Sequence, residues 1–181
     1  MKKLIFGAAC AVAFVAPVFA QEPVKATVDF INAQGDQTGS GTLTETPNGV
    51  LIRLDLRGLP TGWHAFHIHE KGVCDAAGGF ASAGGHYNPT GKKHGYQVLG
   101  GIHAGDMPNQ YVALDGRLRS DVINPNVTLT DRAGTLFGKD GTSIILHDRP
   151  DDYVSQPSGD AGQRIVCGII KKAAGAATPK Q

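Results

Sequence analysis

The chain has 181 residues, a formal net charge of +1, 41% hydrophobic residues and 18% charged residues. That length fits one domain, and the composition supplies a core with too little charge for a disordered chain. Near-neutrality excludes nucleic-acid binding through bulk charge, and the lack of an apolar run long enough to cross a bilayer excludes a membrane transporter. The 25 glycines are about twice the usual ~7% and favour a turn-rich fold over a mainly helical one or a coiled coil.

The first twenty residues read as an export signal. Met1-Lys2-Lys3 is basic, Leu4 to Ala16 is apolar, and Pro17-Val18-Phe19-Ala20 ends in small residues at the cleavage positions, which places the cut after Ala20. Its removal takes away Lys2, Lys3 and Cys10 and leaves Cys74 and Cys167. Two cysteines in an exported chain imply one disulfide, because oxidising compartments form and keep such bonds. The expected location is the periplasm.

From residue 21 the chain reads as short strands. Val24–Ile31 alternates, Gly41–Glu45 follows a Gly-rich turn, and Pro47-Asn48-Gly49 leads into Val50–Leu56. Trp63–His69 is a further strand, Tyr111–Leu114 and Arg117–Val122 flank an Asp115-Gly116 hairpin signal, and Val127–Leu129, Ser143–His147 and Arg164–Ile170 complete the set. Such spacing predicts an all-β sandwich or barrel. Two long irregular stretches, 70–106 and 148–163, interrupt it and are expected to be functional loops. Residues 171–181 read as a disordered tail.

The chemistry lies in the histidines, all seven between positions 64 and 147. His67 and His69 alternate on one strand and project from the same face, which cannot be ordinary core. A shared metal resolves that conflict, since neutral imidazole is a common metal ligand. His86, His94, His103 and Asp106 offer three imidazoles and a carboxylate, a set suited to Zn²⁺. His147 ends a strand. Six histidines and one aspartate exceed one tetrahedral site, so two adjacent metals are expected, the second an imidazole-rich copper site. His64 has the opposite strand parity to His67 and is read as a non-ligand.

His67-Ile68-His69, Gly84-Gly85-His86, Lys93-His94-Gly95, His103-Ala104-Gly105-Asp106 and Arg164-Ile165-Val166-Cys167-Gly168, in that order, resemble the copper/zinc superoxide dismutases from Val24 to Ile170. The resemblance implies an eight-stranded Greek-key β-barrel or sandwich with two long functional loops, over residues 21–170. It implies copper held by His67, His69, His86 and His147, and zinc held by His86, His94, His103 and Asp106, one of each metal per chain. His86 would bridge the metals and hold a proton when released. Cys74 would pair with Cys167, Arg164 would attract the superoxide anion, and Asp151 would link a copper ligand to a zinc ligand. The implied reaction converts superoxide to O₂ and H₂O₂ by alternate reduction and oxidation of copper. No nucleic-acid or membrane partner is implied for the mature chain, and monomer and homodimer both remain open.

Ala65 stands where many members have Gly. The Cys74 to His86 spacing is longer, and the His147 to Arg164 segment shorter, than in the familiar eukaryotic enzymes. Both features resemble the exported bacterial branch. Steering residues therefore cannot be copied from the eukaryotic pattern, and Lys92 and Lys93 are the candidates here. The rival expectation is a periplasmic copper/zinc-binding protein on the same fold without turnover. Its signature would be a lost copper ligand or a lost arginine, and all are present.

Overall fold

Along β1 (Lys25–Asn32) Ala26, Val28 and Phe30 are buried while the residues between them face water. The computed structural model, which describes residues 22–173, repeats this alternation in β2 (Gln37–Thr46), β3 (Gly49–Leu56) and β7 (Leu118–Asn124). A period of two puts one face of the sheet on the core and the other in solvent. The β2–β3 turn closes at Gly49, whose φ of 114° is costly for any residue with a Cβ.

β5 (Phe66–His69) and β8 (Ser143–His147) break the alternation, because every residue in both is buried. Phe66, Ile68, Ile144 and Leu146 enter the main core. Ile145 instead joins a second cluster with Phe80, Ala83 and Cys167 on the opposite face. His67 pairs with Ile145 and His69 with Ser143, so both histidines stand on that second, outer face. The two irregular stretches cover it. β9 (Arg164–Lys172) runs between β8 and β1, and its Cys167 forms a disulfide with Cys74, Cα to Cα 5.7 Å, which pins the first stretch to the sheet.

The seven-stranded sheet has the order β5-β8-β9-β1-β2-β3-β7, and β4 (Gly62–His64) pairs with β6 (Gln110–Val112) in a two-stranded ribbon, with β6 against β7. Every strand pair is antiparallel, and the chain crosses between the two ends of the sheet from β3 to β5 and from β7 to β8. The all-β class stands. Nine strands form among the described residues, against the eight implied by resemblance; of the nine segments read from the sequence, Val127–Leu129 does not form a strand and Trp63–His69 divides in two at Ala65. β4 there belongs to the ribbon and β5 to the large sheet.

Two further expectations are corrected. Val127–Leu129 is not a strand. Its backbone makes only an isolated parallel bridge, Thr128 to Thr135, and the Leu129 N–H donates instead to the Glu45 carboxylate (2.6 Å), which also accepts from the Thr128 hydroxyl (2.8 Å). Lys171 and Lys172 are not tail residues, since β9 pairs through them with Thr27 and Ala26. The proposed signal, residues 1–20, and the rest of the tail, residues 174–181, lie outside the described residues.

Gly168 lies where β9 crosses Val28 and Phe30, and a Cβ there would overlap both side chains. Gly168→Ala is therefore expected to cost ~1–3 kcal/mol, read as a lower urea midpoint at unchanged slope. The disulfide closes a separation of 93 residues. Replacing both cysteines with serine should cost about 2–4 kcal/mol in the same measurement.

Candidate metal centre

Two groups of side chains converge under the covering loops, each with ligand atoms within 4.8 Å of one another. The first comprises His67 and His69 from β5, His147 from the end of β8, and His86 from the first loop. The second comprises His86, His94, His103 and Asp106, all from that loop. His86 belongs to both. All seven residues are buried.

In the first group each ring has one nitrogen engaged and one without a partner. His67 Nε2 meets Asp151 Oδ2 at 2.8 Å, His69 Nδ1 meets the Gly84 carbonyl at 3.0 Å, and His147 Nδ1 faces the Gly162 carbonyl at 3.4 Å. His86 Nδ1 meets Asp106 Oδ1 at 2.8 Å. The buried nitrogens left unpartnered are His67 Nδ1, His69 Nε2, His86 Nε2 and His147 Nε2. Buried polar atoms are normally satisfied, and four orphans pointing into one place fit a metal ion. Burial pushes His67 down to about 4 and His147 to about 3, and holds His69 well below its ordinary value, so these rings are neutral and their lone pairs available at neutral pH.

The second group is tighter. Asp106 Oδ1 lies 2.8, 3.0 and 3.3 Å from Nδ1 of His86, His94 and His103, and the His86 and His103 Nδ1 atoms are 3.4 Å apart. Ligands about 2.0–2.1 Å from a tetrahedral ion stand roughly 3.3–3.4 Å from each other, so the cluster has nearly the edge length of a zinc site. Asp106 Oδ2 accepts the Gly95 and His103 N–H groups, which fixes the carboxylate. Burial opposes the Asp106 charge, but the histidine and amide hydrogen bonds hold its carboxyl far below the usual range. Burial likewise opposes a charged His94, yet its bonds to Asp106 and Asp151 raise it to about 9. These carboxylates call for positive charge between them.

Asp151 joins the two groups. Its Oδ2 meets His67 and its Oδ1 meets His94 Nε2 at 3.0 Å. Arg164, half-buried at the start of β9, donates from Nη1 to the Phe80 carbonyl and from Nη2 to the Gly84 carbonyl, both at 2.7 Å. Its positive charge contributes to depressing His69 and His147, which sets it beside the first group. His64 lies outside both groups, because its two ring nitrogens face the His147 and Pro60 carbonyls at 2.7 and 2.8 Å. Lys92 and Lys93 are exposed on the loop that carries His94.

Sequence reasoning missed two supports. Asn109 brackets Asp151, accepting its N–H and donating to its carbonyl. Gln156 does the same for the His94 backbone. A lone amide side chain in a loop has no spacing signature that could have marked either residue.

Residues 27–170 match the family model described as copper/zinc superoxide dismutase. A protein of Aquifex aeolicus named superoxide dismutase [Cu-Zn] 2 is 46% identical over 173 residues, covering 94% of this chain and all of that one. A Caulobacter vibrioides superoxide dismutase [Cu-Zn] is 43% identical over 76% of this chain and 80% of its own. Among solved structures, a superoxide dismutase-like protein of Bacillus subtilis superposes with a TM-score of 0.76 at 36% identity, over 79% of this chain and 96% of that one. The Cu/Zn superoxide dismutase of Brucella abortus gives 0.63 at 27% identity, over 81% and 99%. With two histidine groups sharing one imidazole on a curled antiparallel sheet, and with relatives of this name along nearly its whole length, the chain belongs to the copper/zinc superoxide dismutase family.

Proposed function

We propose that the protein disproportionates superoxide, two anions and two protons giving O₂ and H₂O₂, at a copper held by His67, His69, His86 and His147 beside a zinc held by His86, His94, His103 and Asp106. The observation that carries this reading is the set of four buried, unpartnered ring nitrogens with His86 shared between the groups. Copper supplies one-electron redox chemistry at such a site, and zinc has none of its own.

The protein's own residues do the rest. Arg164 is held by two backbone carbonyls, so its guanidinium keeps a fixed place beside the first group and attracts a small anion there. His86 Nδ1 stays with the second group while Nε2 is the atom that can hold a proton for the peroxide product. Asp151 keeps His67 and His94 in fixed orientation and tautomer, and Asn109 keeps Asp151 in place. The exposed Lys92 and Lys93 add positive charge to the approach.

The mature chain is read as residue 21 onward, exported to the periplasm. The basic and then apolar opening of the sequence supports this, as does the Cys74–Cys167 disulfide, a bond that persists in oxidising compartments. No helix among the described residues is long and apolar enough to cross a membrane.

Mature protein reconstituted with both metals should bind one copper and one zinc per chain and catalyse superoxide loss. Full loading without turnover would overturn the reading in favour of a metal-binding role. His86→Ala should impair copper and zinc retention together, whereas His94→Ala should impair mainly zinc, as elemental analysis after dialysis would show. Arg164→Glu should slow the reaction at least ~10-fold with copper retained, and its dependence on ionic strength should weaken or invert. Arg164→Lys should be milder, because it keeps the charge and loses only the planar fork.

A further inference from the structure

His69 and His147 end adjacent strands, and each is followed by an acid, Glu70 and Asp148. The surroundings of the two pairs repeat each other. The Glu70 N–H donates to the Gly85 carbonyl (3.0 Å), and the Gly85 N–H donates back to Glu70 Oε1 (3.0 Å). The Asp148 N–H donates to the Gln163 carbonyl (2.9 Å), and the Gln163 N–H donates back to Asp148 Oδ1 (2.7 Å). In each case the acid grips one residue of a covering loop through both its backbone and its side chain. The residue just before the gripped one, Gly84 or Gly162, supplies the carbonyl that faces Nδ1 of the histidine.

The two glycines are alike as well. Gly84 has φ 75° and Gly162 φ 78°, backbone that glycine adopts freely. A Cβ on Gly84 would collide with the Glu70 side chain, and one on Gly162 with that of Asp148. The acid side chain therefore lies over the glycine, in the space that its missing Cβ leaves. Each four-residue unit, His-acid on the strand and Gly-x on the loop, thus ties a histidine's outer nitrogen to a carbonyl whose own position is set by the acid.

We propose that Glu70 and Asp148 are matched positioning residues, which hold the Gly84-Gly85 and Gly162-Gln163 segments so that His69 and His147 present Nε2 to copper in fixed orientation. This rests on the copper reading above. The grips are not equivalent in reach. The Gly84 carbonyl also receives Arg164 Nη2, so the Glu70 grip supports a histidine and the arginine together, while the Gly162 carbonyl faces His147. The role belongs to the acceptor oxygen and not to the charge, since the partner in each case is a neutral backbone N–H.

The test uses Glu70→Ala, Glu70→Gln, Asp148→Ala and Asp148→Asn in the copper- and zinc-loaded protein. Electron paramagnetic resonance of the oxidised copper and copper retention against a chelator are read beside the urea midpoint. The alanine variants should change the copper spectrum and weaken copper retention about 3- to 10-fold, below the roughly 10- to 100-fold typical of groups that bond a metal ligand directly, because these acids act through a backbone carbonyl. The amide variants keep an acceptor oxygen and should restore the wild-type spectrum and retention within about 2-fold. Where an alanine variant does not fold, amide hydrogen exchange decides. Gly85 in Glu70→Gln and Gln163 in Asp148→Asn should stay as protected as in the wild type. Alanine variants with a wild-type spectrum and retention would overturn the proposal. So would amide variants that behave like alanine, or lose that protection, because charge would then be the active property. A wild-type protein that takes up no specific copper would instead overturn the copper reading itself, and the positioning role with it.

Discussion

Side-chain parity on β5 and β8, both of whose faces are buried, is the constraint on which the rest of the structure depends. It sends Phe66, Ile68, Ile144 and Leu146 into the core and leaves His67, His69 and His147 on the outer face. That outer face is covered as well, and burial keeps these imidazoles neutral. The loops that cover it have no core of comparable size and are fastened from several sides. The disulfide holds the first loop to β9, Arg164 holds the Phe80 and Gly84 carbonyls, and Asp151 ties the second loop to His67 and His94. The same contacts that stabilise the covering also aim the ligands.

The electrostatics of the two groups differ in kind. His67, His69 and His147 have their charged forms suppressed by burial, with the Asp151 bond only partly offsetting this at His67. The other group gathers the Asp106 carboxylate among three rings, with Asp151 reaching His94 from the far side. The first is an all-imidazole pocket in which burial favours neutral rings, and the second a pocket in which carboxylates balance positive charge. His86, with one nitrogen in each, couples them through its ring.

Much of this was legible in the sequence. Alternation placed β1 and β3 close to their true limits, the run Ser143–His147 coincides with β8, and the His67/His69 parity placed both rings on one face. Residue type marked His86, His94, His103, Asp106 and the Cys74–Cys167 pair, family order added Asp151 and Arg164, and the fold brings them together. What was illegible depends on long-range partners. The division of Trp63–His69 at Ala65 follows from a sheet change that no local pattern encodes. Val127–Leu129 has the composition of a strand but makes a single isolated bridge and gives its Leu129 N–H to Glu45, more than eighty residues away in sequence. Asn109 and Gln156 are ordinary loop amides until the fold sets them against Asp151 and His94.

The place of β9 in the sheet has a consequence for the order of events during synthesis. β9, the last strand among the described residues, lies between β8 and β1, so the sheet has a gap near its middle until β9 is made. β8, which carries His147, pairs with β5 on one side and needs β9 on the other, and both Cys167 and Arg164 arrive only with β9. The β1–β9 pairing joins the two ends of the described chain, and contacts of such long sequence separation are entropically expensive to close and form late. A growing chain that already contains every histidine therefore still lacks the wall that orders them. Ordering of the two histidine groups waits on β9 joining the sheet.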